Sequence, residues 1–264
     1  MKAKYIFAAS LLVAGAAFAD STDVDTEFVV GVFPLTLQAN VAETAIFVPW
    51  IESGGTTGVA VSNLVKTAGL VANDGVNVTK GDELLWYDGS KFEAWELTTN
   101  STDGVSYWVS AAQGAAADAQ RIARGQSIIL RRNNNYASAT TVYLVGQYTN
   151  ASASSSIAGG TKASPTYTLI APTAVSGTVN LKTKLSGVAA KNDAVTFIDG
   201  STKKLKTYVY NGTNWGTPGF DTTKSPPLPT FTPASDADMT LSAGYGFWYK
   251  RCSGADAEEA IVNW

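Results

Sequence analysis

The stretch Lys80-Gly81-Asp82-Glu83-Leu84-Leu85-Trp86-Tyr87-Asp88-Gly89-Ser90 reads as a strand running into a tight turn, and the chain contains it twice. It returns as Lys191-Asn192-Asp193-Ala194-Val195-Thr196-Phe197-Ile198-Asp199-Gly200-Ser201, with five of the eleven positions identical and most others keeping their apolar character. An apolar, aromatic-rich run closed by Asp-Gly is a hairpin signal, because the glycine accepts the positive φ that the turn needs. Asp103-Gly104 and Asn211-Gly212 repeat the turn signal one strand later, and Trp108 and Trp215 follow them. Each copy therefore predicts a β-meander: strand, turn, strand, turn, then a tryptophan.

Further blocks recur in the same order on both sides of this pair. Arg124-Gly125-Gln126-Ser127-Ile128-Ile129-Leu130-Arg131-Arg132 returns as Ala243-Gly244-Tyr245-Gly246-Phe247-Trp248-Tyr249-Lys250-Arg251. Upstream, Asn63-Leu64 matches Asn180-Leu181, and Phe47-Val48-Pro49 matches Ile170-Ala171-Pro172. The offsets run from 107 to 123 residues, the length of an ordinary domain. The expectation is an all-β protein of two tandem homologous β-sandwich-like domains. Copy one would span 20–148 and copy two 165–264. A Ser-, Ala- and Gly-rich connector over 149–164 would join them. Leu35 to Val41 alternates apolar and polar strictly, as a half-buried strand does. The Ala-rich stretch Ala111 to Arg124 is the one segment with helical composition. Copy two has Ser225 to Pro233 there instead, whose prolines predict an extended, stiff segment.

The N-terminus carries a targeting pattern. Met1-Lys2-Ala3-Lys4 is a short basic start, Tyr5 to Phe18 is uncharged and mostly apolar, and Ala17-Phe18-Ala19 is a small-x-small exit. These three parts predict a secretory signal peptide over 1–19, with Asp20 as the first mature residue. The apolar run is short for a membrane span, which needs about 20 residues. Cleavage removes Lys2 and Lys4 and takes the formal net charge from −3 to −5. A mildly acidic chain is a poor partner for nucleic acid, which rewards basic patches. Cys252 is the only cysteine, so no internal disulfide forms and stability rests on core burial.

The chain contains no histidine, which excludes Ser-His-Asp and Cys-His nucleophilic sites and His-ligated zinc. Paired carboxylates can catalyse without histidine, but no acid pair sits in an apolar setting here. The reading is a non-enzymatic protein without a cofactor. Asp20, Asp23 and Asp25 cluster at the mature N-terminus, and Asp236 and Asp238 sit near the other end. Calcium favours such carboxylates, yet the spacing lacks the glycine and distal glutamate of a calcium loop, so no metal site is assigned.

Among the seven tryptophans, Trp108 and Trp215 lie in polar, turn-rich stretches. They are therefore the rings expected to be exposed, and the candidates for stacking on sugar rings. Phe28-Val29-Val30-Gly31-Val32-Phe33 resembles Tyr143-Leu144-Val145-Gly146-Gln147-Tyr148. Copy two ends partway through its counterpart of that closing strand. Phe28, Val30 and Val32 are thus read as a strand that fills a sheet edge, in its own chain or in a neighbour's, or else as an ordinary first strand of copy one with no link to copy two.

The order Asn-Leu, strand, Asp-Gly-Ser, Trp, Gly-x-x-apolar-apolar-apolar-basic resembles a repeated β-rich domain of secreted bacterial surface proteins of uncharacterised function. In that pattern an asparagine-leucine strand opens the unit and a proline-glycine-x-glycine-phenylalanine strand closes it. Ala243-Gly244-Tyr245-Gly246-Phe247-Trp248 is the nearest match, while copy one has Ser127 at the second glycine, and Arg124 and Ala243 stand for the proline. The resemblance implies an exported β-domain and carries no catalytic residue. The expected role is a cell-surface or extracellular structural protein that acts through a protein partner or self-association. The alternative is a carbohydrate-binding module with a polysaccharide ligand.

Overall fold

The computed structural model describes residues 29–47, 59–60, 65–66, 69–87, 91–110, 121–122, 127–148, 154–172, 177–199, 202, 204–252 and 260–264. The described chain is mostly strand with almost no helix, and its strands form antiparallel sheets, as expected of an all-β protein. The export signal, Phe28 and the aspartates at 20, 23 and 25 lie outside these residues.

The first group of strands is β1 (Val29–Leu37), β2 (Glu43–Phe47), β3 (Val59–Ala60), β4 (Val65–Lys66), β5 (Glu83–Tyr87), β6 (Phe92–Thr99), β7 (Ser106–Ser110), β8 (Arg121–Ile122), β9 (Ser127–Arg131) and β10 (Thr140–Tyr148). A five-stranded sheet runs β2-β9-β5-β6-β7, a three-stranded sheet runs β1-β10-β4, and β3 pairs with β8. Side chains alternate across a strand, so Leu84, Leu130 and Trp95 face Leu35, Leu37, Val142 and Leu144 in one core. Leu85 and Ile129 face the other way.

The second group is β11 (Ser154–Ile157), β12 (Thr166–Ile170), β13 (Thr178–Asn180), the short helix α1 (Leu181–Lys184), β14 (Ala194–Ile198), β15 (Leu205–Tyr210), β16 (Trp215–Asp221), β17 (Leu228–Pro233), β18 (Thr240–Ser242), β19 (Phe247–Arg251) and β20 (Ala260–Asn263). Its large sheet runs β12-β19-β14-β15-β16-β17, and β11 pairs with β20 and β13 with β18. Ile170, Val195, Phe197, Trp215, Phe247 and Tyr249 form the heart of a second core.

Strand registers in the two large sheets run alike. Leu84 lies opposite both Leu130 and Trp95, and Val195 lies opposite both Tyr249 and Tyr208. Trp108 lies opposite Leu97, and Trp215 opposite Tyr210. The predicted meander is present in both groups; Asp88-Gly89 and Gly200 lie outside the described residues, and the second turn of each group is built as its residues dictate. The Asn211 carboxamide oxygen accepts the N–H groups of Thr213 and Asn214 at 2.9 and 2.8 Å, and Gly212 takes φ +102°. The Asp103 carboxylate accepts from Val105 N–H at 2.9 Å, beside Gly104 at φ +70°.

Two buried aspartates anchor the strand ends. Asp82 accepts from the backbone N–H of Asn133 (2.8 Å) and Val71 (2.9 Å). Asp193, its match in the repeat, accepts from the N–H of Cys252 (2.8 Å) and Ala190 (3.0 Å), and from the Tyr249 hydroxyl (2.7 Å). Arg132 is also buried, and its guanidinium donates to the carbonyls of Val41 and Ser138 at 2.8 Å each. It ties the turn after β1 to the turn after β9.

Several expectations need correction. The 149–164 stretch is more than a connector, because β11 lies within it and pairs with β20 from Ser154 opposite Asn263 to Ile157 opposite Ala260. The Trp264 indole N–H donates to the Ser155 hydroxyl at 2.6 Å and fixes this pair. The second group therefore has a first strand of its own, which a Ser-rich stretch with weak β propensity did not announce. Leu35 to Val41 is not one strand, since β1 ends at Leu37 and Asn40 turns the chain at φ 59°. Asn180-Leu181 straddles a junction, since Asn180 ends β13 opposite Thr240 and Leu181 opens α1. The Asn180 side chain caps α1 by accepting from Thr183 N–H at 3.0 Å, and Leu181 is buried. The match of Phe47 with Ile170 is one residue out of register. Ile46 lies opposite Ile128 and Ile170 opposite Phe247, so Ile46 is the counterpart of Ile170. Of the Ala-rich stretch 111–124, only Arg121–Ile122 is described, and it is a strand. Pro-rich β17 is extended, as its composition dictates.

Candidate functional site

The two large sheets meet along the faces that point away from their own cores. Leu85 and Ile129 from the first sheet and Leu169 from the second are buried together, with Ala45, Ala94 and Trp248 packed around them. Residues that align between the recurring sequence blocks meet here. Ile129 aligns with Trp248, and both line the seam. By strand register Ala45 corresponds to Leu169, and both line it too. Ser127 aligns with Gly246, and these two touch. A β-carbon on Gly246 would collide with the Ser127 hydroxyl and lie 2.9 Å from the Ile170 carbonyl. That collision leaves no room for a side chain at 246, the position that aligns with Ser127.

The segment before β19 stitches the seam together. Gly246 N–H donates to the Ala45 carbonyl at 2.8 Å, and the Tyr245 hydroxyl donates to the Thr36 carbonyl at 2.6 Å. Tyr245 packs against both cores, and burial pushes its phenol pKa up. Gly244 takes φ +87°, and a β-carbon there would stand 2.6 Å from the Phe33 ring. Gly246→Ala is expected to cost about 1–3 kcal/mol by overpacking, read as a lower urea midpoint. Adding Ser127→Ala should return part of that loss, because it removes the oxygen that the new methyl meets. A double variant no better than the sum of the singles would refute the contact.

A cleft of about 130 Å³ opens beside the seam, lined by Ala45, Ile129, Thr196, Leu205, Tyr245 and Trp248 among others. Small-molecule sites usually enclose about 300–1,000 Å³, so this cleft holds a single small ring at most. Glu43 also lines it, and the Arg131 guanidinium sits 2.8 Å from Glu43 and 3.3 Å from Glu83. Burial works against the Arg131 charge, but these two carboxylates outweigh it and raise the guanidinium pKa. Tyr87, Phe92 and Trp248 form an aromatic trio whose ring centroids lie 5.2–5.9 Å apart. Phe92 is 47 % exposed, so the trio reaches the surface.

Trp108 and Trp215, expected at the surface, are only 2 % and 1 % exposed and sit in the two cores. Turn-rich flanks mark the ends of a short strand but do not tell which face a side chain takes. The indole N–H groups of both have no hydrogen-bond partner among the described residues. Neither ring is presented to a ligand. Val30 and Val32 lie in β1 opposite Gln147 and Val145, so β1 pairs with β10 of its own group, as an ordinary first strand does, and β11 takes the place beside β20. Cys252 is buried, and burial pushes its thiol pKa up. Asp236 and Asp238 are engaged with Lys182 (3.1 Å) and with the Ser235 hydroxyl (2.7 Å). No cluster of three or more metal-ligating side chains occurs among the described residues.

Sequence reading missed the seam. Its signal was the asymmetry of Ser127 and Gly246, together with apolar residues on both faces of β5, β9, β12 and β19, where an open sandwich alternates apolar with polar. No protein-family model matches the chain, and neither a curated protein nor a solved structure does.

Proposed function

We propose that the chain is an exported, non-enzymatic structural or interaction protein of the cell surface or extracellular space, built as a tandem duplication of one β-unit. The matching strand order and register of the two large sheets support the duplication. So do the sequence-matched pairs Ser127/Gly246 and Ile129/Trp248, which sit face to face as residues near a pseudo-two-fold axis do. The observation that carries the functional reading is the seam. Sheet faces that a lone sandwich would turn to solvent are apolar here and serve as contact surfaces between folded units. A protein that works by sheet-face contact needs neither a cofactor nor a deep pocket.

The aromatic trio of Tyr87, Phe92 and Trp248 favours the second reading, polysaccharide binding, and moves the candidate platform from Trp108 and Trp215 to the rim of the seam. Two measurements on the purified protein separate the readings. Concentration-dependent association without added ligand is expected if it is an assembly protein. Tryptophan fluorescence that a polysaccharide panel quenches, and that Trp248→Phe no longer shows quenched, in a protein that never associates, would overturn the first reading for the second.

A further inference from the structure

The large sheet of the second group extends beyond the seam as a two-stranded arm. β15 pairs with β16 only at Val209–Gly216 and Tyr210–Trp215. Past that point β16 pairs with β17 alone, from Thr217 opposite Thr232 to Asp221 opposite Leu228. Trp215 turns into the core, so Gly216, Pro218 and Phe220 take the opposite face by alternation. Across the register they meet Pro233, Phe231 and Pro229. This is the face on which Leu169 and Trp248 pack at the seam, since it continues through Thr196, Thr207 and Val209. It carries no charge and stands open, with Phe220 71 % exposed and Pro218 and Pro229 exposed. The other face carries Thr217, Thr230 and Thr232, with Asp221 and Leu228 at its far end.

The edge of β17 does not invite a further strand. Ala234 N–H donates inward to the Trp215 carbonyl at 2.8 Å, so residues 229, 231 and 233 turn their nitrogens outward. Two of these are proline, which leaves Phe231 as the one donor along that stretch. Contact must use the face. Phe231 is already fixed on that face, because its ring lies where a β-carbon on Gly216 would stand, at 2.6–2.7 Å.

We propose that this face of the arm is a self-association surface, covered by the arm of a second copy of the chain. Proline and phenylalanine alternate along β17 and across the Pro218–Phe231 and Phe220–Pro229 pairs, with Gly216 at one corner, so five of the six positions form a checkerboard. Turned about a two-fold axis, the same checkerboard sets phenylalanine rings on proline rings, and one copy complements another without any charge to match. Continuity with the seam points the same way, since the chain already buries the outer face of this sheet against a related sheet face. The arm offers about 200 Å² per copy from about six residues of two adjacent strands, well below the roughly 800 Å² per partner of a stable interface. The association is therefore weak.

This inference rests on the reading of the protein as one that acts through protein contacts, and the experiment separates the two. Sedimentation equilibrium of the purified protein from about 10 µM to about 1 mM is expected to show a dimer with Kd on the order of 100 µM. Phe220→Asp should weaken it at least tenfold while leaving the thermal midpoint unchanged. Phe220→Ser, which adds no charge, should weaken it in the same direction. Association that both variants leave intact overturns the arm and keeps the broader reading. A protein that stays monomeric to about 1 mM overturns the arm, and with polysaccharide quenching present it overturns the broader reading as well.

Discussion

Trp215→Ala is expected to remove about 3–5 kcal/mol of stability, the ordinary cost of emptying a large aromatic site in a packed core. The ring is 1 % exposed, with the rings of Tyr210 and Tyr249 centred 5.2 and 6.5 Å from it. Natural domains hold only about 5–15 kcal/mol in total, so the variant should melt about 10 °C lower. Trp108→Ala should act alike in the first core, where the ring is 2 % exposed. Trp215→Phe should cost much less, because the N–H it removes has no acceptor among the described residues. Calorimetry on the three variants is the check. An alanine variant that melts within about 2 °C of the parent would show the ring to be a surface element, as its flanking sequence suggested.

The second large effect is Asp193→Ala. This carboxylate is buried and accepts from two backbone N–H groups and the Tyr249 hydroxyl. Alanine orphans all three donors inside the fold. At roughly 1–3 kcal/mol for a buried donor left unmade, a total loss of about 3–5 kcal/mol is expected, with Asp193→Asn intermediate. Tyr249 adds a pH signature. Burial pushes its phenol well above the ordinary value of 10.0, and the hydrogen bond to Asp193 pushes it further. Its folded pKa lies above the unfolded one, so its contribution is fully present below pH 10 and is lost as pH rises beyond it. Urea midpoints across pH 8–11 should fall at the alkaline end, and Tyr249→Phe should flatten that fall. A parent and a Tyr249→Phe protein with parallel alkaline profiles would remove tyrosine ionisation as the cause.

The all-β class, the meander and its turns were legible because they depend on neighbours in sequence. Asn211-Gly212 turns the chain whatever surrounds it, and alternation along a strand follows from backbone geometry. The repeat named its own anchor, since Asp82 and Asp193 stand at matched positions. Sequence did not disclose what the anchor does, because its donors at Asn133 and Cys252 lie 51 and 59 residues away.

Which face a side chain takes, and what covers it, was decided by tertiary structure. Trp108 and Trp215 sit in polar surroundings along the chain but turn inward, because the register opposite Leu97 and Tyr210 puts them on the core face. Ser154–Ile157 becomes a strand only because β20 lies beside it to supply the hydrogen bonds. The seam required both units at once, since no local pattern tells an outward apolar residue whether solvent or another sheet will meet it. By itself, then, the sequence determined most of the strands, the Asp-Gly and Asn-Gly turns that follow β6 and β15, and the recurrence of its own blocks, which are local or self-similar features. Packing decided burial and contact, because those depend on atoms brought together from about 120 residues apart along the chain, as Ser127 and Gly246 are.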